Sequence, residues 1–134
     1  MKKYIRVCHL SIWFGNKIAL SRVVKKAYYK GFWSDAGGKV EEYEHIEAAL
    51  KREVKEEMGI DIENTNFRLV DCFLYDKRKI KSFLYELNLP DWWFNYVKNT
   101  EPHKQGPWKL FTLKQALKLK LMPSVKAYLT SLDK

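Results

Sequence analysis

The chain contains few of the residues that mark several common classes of protein. Its 134 residues include two cysteines, four prolines and six glycines, which excludes disulfide-rich, collagen-like and low-complexity chains. No run of 18 apolar residues occurs, so neither a membrane-spanning helix nor a membrane partner is expected. Cys8 and Cys72 are far apart in the sequence and form no C-x-x-C spacing, which favours free thiols over a disulfide or zinc site. These absences favour a cytoplasmic protein.

The residues that are abundant indicate one basic globular domain spanning residues 1–134. The chain is 46% hydrophobic and has a net charge of +9, and its length is that of a single domain. The charge is uneven, because seven glutamates stand against three basic residues between Glu41 and Glu57. That segment carries −4, so the remainder carries +9 minus −4, or +13. A basic surface attracts polyanions such as nucleotides or RNA, although lysine-rich surfaces also simply aid solubility.

Strands and helices are mixed along the chain. Residues 4–14 and 17–23, joined at Gly15-Asn16, predict one hairpin, and residues 67–76 and 79–89 predict another. The pair Gly37-Gly38 is typical of a loop that makes room for close approach of another backbone. An α/β fold is therefore expected.

Helical periodicity is clearest between these hairpins. Leu50, Val54 and Met58 recur every four positions, which predicts a helix over residues 46–58 that ends at Gly59. Residues 112–132 predict a helix, a break at Pro123 and a second helix.

Three glutamates share one face of the first helix. Glu53, Glu56 and Glu57 are spaced i, i+3 and i+4, and like charges at this spacing destabilise a helix by roughly 0.2–0.5 kcal/mol per pair. A hard divalent cation would hold them together, because Mg²⁺ binds oxygen ligands and combines a few carboxylates with substrate phosphates. The alternative is an ordinary solvated helix face on which Arg52 pairs with Glu56.

The sequence around these glutamates resembles the Nudix box. The box runs Gly, five residues, Glu, seven residues, then Arg-Glu-aliphatic-x-Glu-Glu-x-Gly-aliphatic. Residues 38–60 keep every spacing, although Asp35-Ala36 stands where Leu-Pro is common in the family and Tyr43 where Gly is common. The matching positions are Gly38, Glu44, Arg52, Glu53, Val54, Glu56, Glu57, Gly59 and Ile60.

The resemblance implies a fold and a metal site. The fold is the Nudix fold, an α/β/α sandwich with a mixed central sheet, and the cofactor is Mg²⁺ or Mn²⁺. Glu53 and Glu57 are expected as principal metal ligands. Glu56 is expected as a further ligand or water partner, and Gly38 is expected to offer its carbonyl.

Supporting and catalytic roles follow from the same resemblance. Arg52 is expected to orient the carboxylates, and Glu44 to brace the loop and the box. Which glutamate accepts a proton from water varies within the family, so Glu56, Glu57 and Glu101 remain candidates.

Candidate substrate contacts lie outside the box. Residues 99–117 resemble a segment of the Nudix enzymes that act on nucleoside triphosphates, the MutT-like group. Arg22 and Lys39 suit phosphate contact. Trp33 and Trp108 could stack on a base, although most aromatic residues in such a chain belong to the core. Glu101 is a further candidate for substrate contact.

Three functions compete at this point. The first is Mg²⁺-dependent hydrolysis of a (d)NTP to the monophosphate and pyrophosphate. The second is removal of a cap or pyrophosphate from an RNA 5′ end, which the basic charge favours. The third is a nucleotide sensor without catalysis, which an intact box disfavours. The cluster Trp92-Trp93-Phe94 is either a core anchor or a homodimer contact.

Overall fold

The computed structural model describes residues 3–25 and 28–133, and this part of the chain forms seven strands, three α-helices and two 3-10 helices. The strands are β1 Ile5–Phe14, β2 Lys17–Arg22, β3 Trp33–Ser34, β4 Ala36–Lys39, β5 Phe67–Tyr75, β6 Ile80–Leu89 and β7 Lys109–Phe111. The α-helices are α1 Ile46–Met58, α2 Leu113–Ala116 and α3 Pro123–Leu132, and the 3-10 helices are Asp76–Arg78 and Asp91–Tyr96.

Strand β1 lies at the centre of a mixed sheet. It runs parallel to β6 along its whole length, from Ile5 opposite Ile80 to Phe14 opposite Leu89. It is antiparallel to β2 at its end and to β4 over Val7 to Leu10. The main path of the sheet is β3-β2-β1-β6-β5, and β7 pairs with β2. This topology places β4, which carries Gly37 and Gly38, against the middle of the sheet.

Helices cover both faces of the sheet. Alternate residues of a strand point to opposite faces, so β1 sends one set of apolar side chains to α1. The opposite face packs against α3 through Ile18, Leu20 and Leu84. The expected α/β/α sandwich is thus confirmed, and its α1 layer contains Cys8, Leu10, Ile12, Phe14, Ala49, Leu50, Val54 and Met58.

The first helix has the predicted bounds. It begins at Ile46 and ends at Met58, and Gly59 follows in the left-handed conformation with φ of 70°. Its amide donates to the carbonyl of Lys55 at 3.0 Å, which closes the last turn as glycine caps do. Both predicted hairpins are also present as β1/β2 and β5/β6.

One expectation about local structure was wrong. Gly37 and Gly38 lie in strand β4 rather than in a loop, and strand β1 passes so close to Gly37 that it leaves no room for a side chain there. A Cβ on Gly37 would lie 2.2 Å from the carbonyl oxygen of Cys8. The predicted helix, break and second helix are present as α2 and α3. The first is a single turn, and the break precedes Pro123, which opens α3 because proline is favoured at the first helical position.

Two sequence-based expectations concern membrane-spanning helices and thiols. Within the described ranges, no helix has the length and apolarity required to cross a membrane. Cys8 is buried, Cys72 is exposed, and both are free thiols.

Candidate active site

Helix α1 and strand β4 meet at a pair of glycines and a pair of glutamates. An ideal Cβ built on Gly38 would lie 2.5 Å from the carboxyl carbon of Glu53. Real side chains do not approach this closely, so Glu53 occupies space that is available only because residue 38 is glycine. The Cys8 thiol donates to the Gly38 carbonyl at 3.5 Å, and burial raises the pKa of Cys8 to about 12, which keeps that donor protonated.

Glu57 is fixed on the other glycine. Its carboxylate accepts a hydrogen bond from the Gly37 amide at 2.8 Å. The pKa of Glu57 is raised to about 8, mainly by burial; the hydrogen bond from Gly37 opposes this shift, and the charges of Glu53 and Glu101 contribute to it. Burial also raises the pKa of Glu53, although Arg52 opposes that shift. Desolvated carboxylates side by side favour either protons or a bound cation.

Arg52 holds the glutamates and the neighbouring loop together. Its Nε and Nη2 donate to the two oxygens of Glu44 at 2.9 and 3.0 Å. Nη1 donates to Glu53 at 2.9 Å, and Nη2 also donates to the carbonyl of Lys39 at 3.0 Å. A longer ion pair of 3.6 Å joins Arg52 to Glu56. One guanidinium therefore links the end of β4, the loop before α1 and the carboxylate face of α1.

The contact between Arg52 and Glu44 shifts the pKa values of both side chains. The hydrogen bonds from Arg52 lower the pKa of Glu44 to about 2, and they raise the pKa of Arg52 above its usual value. The amide of Glu41 donates to Glu44 as well, at 3.0 Å. Glu44 is thus ionised at any physiological pH and fixed by three donors, which makes it a brace for the loop.

The segment of residues 98–108 donates hydrogen bonds to the last carbonyls of α1. The Lys98 amide donates to the carbonyl of Met58 at 2.9 Å. The Thr100 hydroxyl donates to the carbonyl of Glu56, and the Trp108 indole N–H donates to that of Glu57 at 3.0 Å. Carbonyls at the end of a helix lack partners within it, so these bonds anchor residues 98–108 to the helix that carries the carboxylates.

This anchoring brings Glu101 beside the carboxylates of α1. Glu101 is partly buried, and its charge contributes to the raised pKa values of Glu53 and Glu57. Lys104 pairs with it at 3.2 Å. The sequence contains no local signal for the roles of Gly37 and Thr100, because their partners Glu57 and Glu56 lie 20 and 44 positions away along the chain.

The aromatic candidates occupy different positions. Trp108 is 6% exposed, so its position supports α1 and does not agree with the expectation that it stacks on a base. Trp33 is partly buried, contacts Phe111 edge to face at 5.1 Å, and has the Arg22 guanidinium over its ring at 5.9 Å. Arg22 and Lys39 are both exposed, so their cationic groups are accessible to a ligand.

The donor set suits a hard divalent cation by its chemistry. Carboxylates from Glu53, Glu56, Glu57 and Glu101, with the carbonyl of Gly38, are oxygen ligands of the kind that Mg²⁺ and Mn²⁺ take. Within residues 3–25 and 28–133, no three acidic, histidine or cysteine side chains already converge as a metal cluster. Glu53 and Glu57 are instead held by Arg52 and Gly37, so a cation would have to draw side chains together.

Comparison with known proteins establishes the family. The model of the NUDIX domain matches residues 9–132, which is most of the chain and includes the whole glycine and glutamate site. The chain therefore belongs to the Nudix family, whose members generally use divalent metal ions.

Several relatives resemble this chain in part or as a whole fold. An "8-oxo-dGTP diphosphatase" from Buchnera aphidicola subsp. Schizaphis graminum is 40% identical over 70 residues, which cover 52% of each protein. The chain thus spans about half the length of the curated relatives it matches. A MutT NUDIX hydrolase from Burkholderia pseudomallei has a TM-score of 0.77 at 23% identity, covering 96% of this chain and 98% of its own. The E. coli ORF135 protein has a TM-score of 0.72 at 26% identity, covering 98% and 89%.

Proposed function

We propose that this protein is a nucleotide pyrophosphohydrolase that cuts a (d)NTP into the monophosphate and pyrophosphate with Mg²⁺ or Mn²⁺. One observation carries the proposal: Glu53 and Glu57 are desolvated carboxylates held against Gly38 and Gly37, with Glu56 and Glu101 beside them. The relatives named 8-oxo-dGTP diphosphatase make an oxidised purine triphosphate the first substrate to test.

The chemistry requires the negative charge of the substrate to be neutralised. A bound divalent cation supplies this charge neutralisation and makes a water molecule more acidic. The residues of the chain position the ligands for it. Glu53 and Glu57 are the proposed principal ligands, because each is shielded from water and fixed at one end. The carbonyl of Gly38 is the proposed backbone ligand.

A separate carboxylate must accept the proton of the attacking water. Glu57 is already engaged by Gly37 and shielded from water, which suits a ligand better than a proton acceptor. The side chain of Glu56 is 50% exposed and that of Glu101 is 20% exposed, so both are reached by water. We propose that the general base is Glu56 or Glu101, and pH profiles of their glutamine variants would separate them.

Substrate phosphates and the base would lie beside this group. Lys39 ends strand β4 next to Gly38, and its exposed ammonium is the proposed phosphate contact. The Arg22-Trp33 pair is the proposed contact for the nucleoside, because an arginine over an indole presents both a cation and an aromatic edge. Arg52 is committed to Glu44, Glu53 and the Lys39 carbonyl, so it orients ligands and does not bind substrate.

RNA 5′-end hydrolysis is the second candidate function. The net charge of +9 is the feature that favours it, because lysine and arginine side chains that neutralise RNA phosphates strengthen binding.

A cytoplasmic location is part of the proposal and is supported by two free cysteines. The sequence offered two roles for the cluster Trp92-Trp93-Phe94. The packing of Trp93 and Phe94 against the core supports a core anchor, whereas the 56% exposure of Trp92 supports a homodimer contact, which sedimentation would test.

The test is a product assay with matched variants. Purified protein with Mg²⁺ is given 8-oxo-dGTP, the common (d)NTPs, dinucleoside polyphosphates and 5′-triphosphorylated RNA, and pyrophosphate is measured separately from orthophosphate. Glu57→Gln should abolish turnover, while Glu47→Gln, an exposed glutamate of the same helix, should not change it. Pyrophosphate from one (d)NTP supports the proposal. Turnover of RNA alone would replace it with the second candidate, and nucleotide binding without turnover would indicate a sensor.

A further inference from the structure

Two adjoining cavities lie at the end of α1, formed by a different set of residues from the carboxylates. The first has a volume of about 300 Å³ and is lined by Gly59, Ile60, Asp61, Trp92, Trp93 and Tyr96. The second has a volume of about 320 Å³ and extends from Asp61 and Trp93 to Glu63 and Thr65. Because they share Asp61 and Trp93, they form one continuous depression, which we call the aromatic groove.

The groove exposes aromatic rings that the fold does not need as core. Trp92 is 56% exposed and Tyr96 is 62% exposed. Their rings stand nearly perpendicular, at 82°, with centroids 6.4 Å apart, and Trp93 lies 5.9 Å from Trp92. Trp93 also packs against the core, so it fixes the floor on which the exposed rings stand. Tryptophan and tyrosine on a rigid base are the residues that dominate binding energy at protein interfaces.

The groove holds a carboxylate beside its aromatic rings. The charged residues that line the two cavities, within the described part of the chain, are the carboxylates Asp61 and Glu63. Glu63 is paired with Lys51 at 3.3 Å, so Asp61 supplies the negative charge beside the rings. The Asp61 carboxylate is fixed by the amide of Glu63 at 2.8 Å. Lys98 passes beside Gly59 but does not line either cavity. Aromatic faces with a fixed carboxylate at their edge attract cations.

We propose that the aromatic groove is a docking site for a lysine-bearing segment of a protein partner. The aliphatic stem of a lysine would lie along the Trp92 ring, and its ammonium group would reach the Asp61 carboxylate. One side chain would thus contact both the aromatic ring and the negative charge. The two joined cavities suit an extended segment that places successive side chains in each. The basic remainder of the surface repels such a segment, so binding must be local to the groove.

The test uses NMR spectroscopy of the whole protein with a defined probe. The peptide acetyl-Gly-Lys-Gly-Lys-Gly-amide is titrated to about 10 mM, a range in which weak contacts register, and the tryptophan indole N–H signals are followed. Shifts of the Trp92 and Trp93 signals are expected, with the signals of the remaining tryptophans unchanged. The same peptide with glutamate in place of lysine should produce no shift.

Matched variants locate the contact. Trp92→Ala should weaken binding about fivefold and Asp61→Asn about threefold, while Tyr43→Ala, an exposed aromatic outside the groove, should leave it unchanged. Binding as tight as wild type by both Trp92→Ala and Asp61→Asn would overturn the proposal. The absence of any indole shift in wild type would overturn it as well. Shifts with tetramethylammonium alone would assign the groove to small organic cations instead. Indole shifts that depend on protein concentration without peptide would assign it to a second copy of this chain.

Discussion

Replacing Glu44 by glutamine should destabilise the protein by about 2 kcal/mol. The change leaves one acceptor oxygen and turns an NH₂ group toward the guanidinium of Arg52, which is itself a donor at 2.9 and 3.0 Å. Hydrogen bonds to charged groups contribute about 1.5–3 kcal/mol each. The side chains of Glu44 and Arg52 are 18% and 31% exposed, and screening by water reduces the total to the lower part of that range.

Thermal and chemical unfolding measure this effect. For a chain of 134 residues, about 2 kcal/mol corresponds to a decrease in Tm of about 6–10 °C. Glu42→Gln is the matched control two residues away, because its ion pair with Lys3 at 3.1 Å is exposed on both sides and such pairs contribute less than about 1 kcal/mol. The double variant Glu44→Gln with Arg52→Gln should lose less than the sum of the single changes, since the two residues share one contact.

The stabilising effect of the ionised Glu44 side chain should depend on pH. Arg52 lowers the pKa of Glu44 to about 2 in the folded protein, from an ordinary value of 4.5. A carboxyl group with a lowered folded pKa stabilises the protein above its unfolded pKa and loses that contribution as pH falls through the folded value. The difference in unfolding free energy between wild type and Glu44→Gln should therefore be constant from pH 8 to about 5, and should close between about 4.5 and 2. Equal stability of the Glu44 and Glu42 variants at pH 7 would refute the bracing role.

Four further outcomes are expected. Gly38→Ala should abolish Mn²⁺ binding measured by EPR while circular dichroism stays unchanged, because the new Cβ would lie 2.5 Å from the Glu53 carboxyl; retained binding would contradict the close packing of that pair. Thr100→Val should lower kcat about tenfold with little change in Tm, whereas Thr100→Ser should restore it, since the hydroxyl anchors the loop of Glu101 to the Glu56 carbonyl. Tyr128→Phe should cost about 2 kcal/mol in urea unfolding, because it leaves the buried Glu86 carboxylate and the Trp13 indole N–H without their shared partner. In EDTA, the unfolding free energy of wild type relative to Glu57→Gln should fall as pH rises from 4.5 to about 8, because burial raises the folded pKa of Glu57 to about 8 and disfavours its charged form; a flat difference would contradict that burial.

The sequence by itself determined the secondary-structure elements whose apolar residues recur with a regular period. The helix over Ile46–Met58 was predictable to the residue, because its apolar stripe has the helical period and Gly59 can adopt the left-handed conformation that ends it. The alignment of Glu53, Glu56 and Glu57 on one face follows from the same period. The spacing of the box was sufficient to identify the family.

Tertiary structure alone decided how those residues are held. Gly37 and Gly38 were expected in a loop, yet they pair with β1 as part of strand β4. Without side chains, Gly37 allows the Cys8 carbonyl to approach and Gly38 allows Glu53 to approach. The pairing of Arg52 with Glu44 joins residues eight positions apart, and the anchoring of Trp108 to the Glu57 carbonyl spans 51 positions. Local periodicity carries no information about such contacts, because a donor and an acceptor distant in the chain meet only once the sheet and both helical layers have packed.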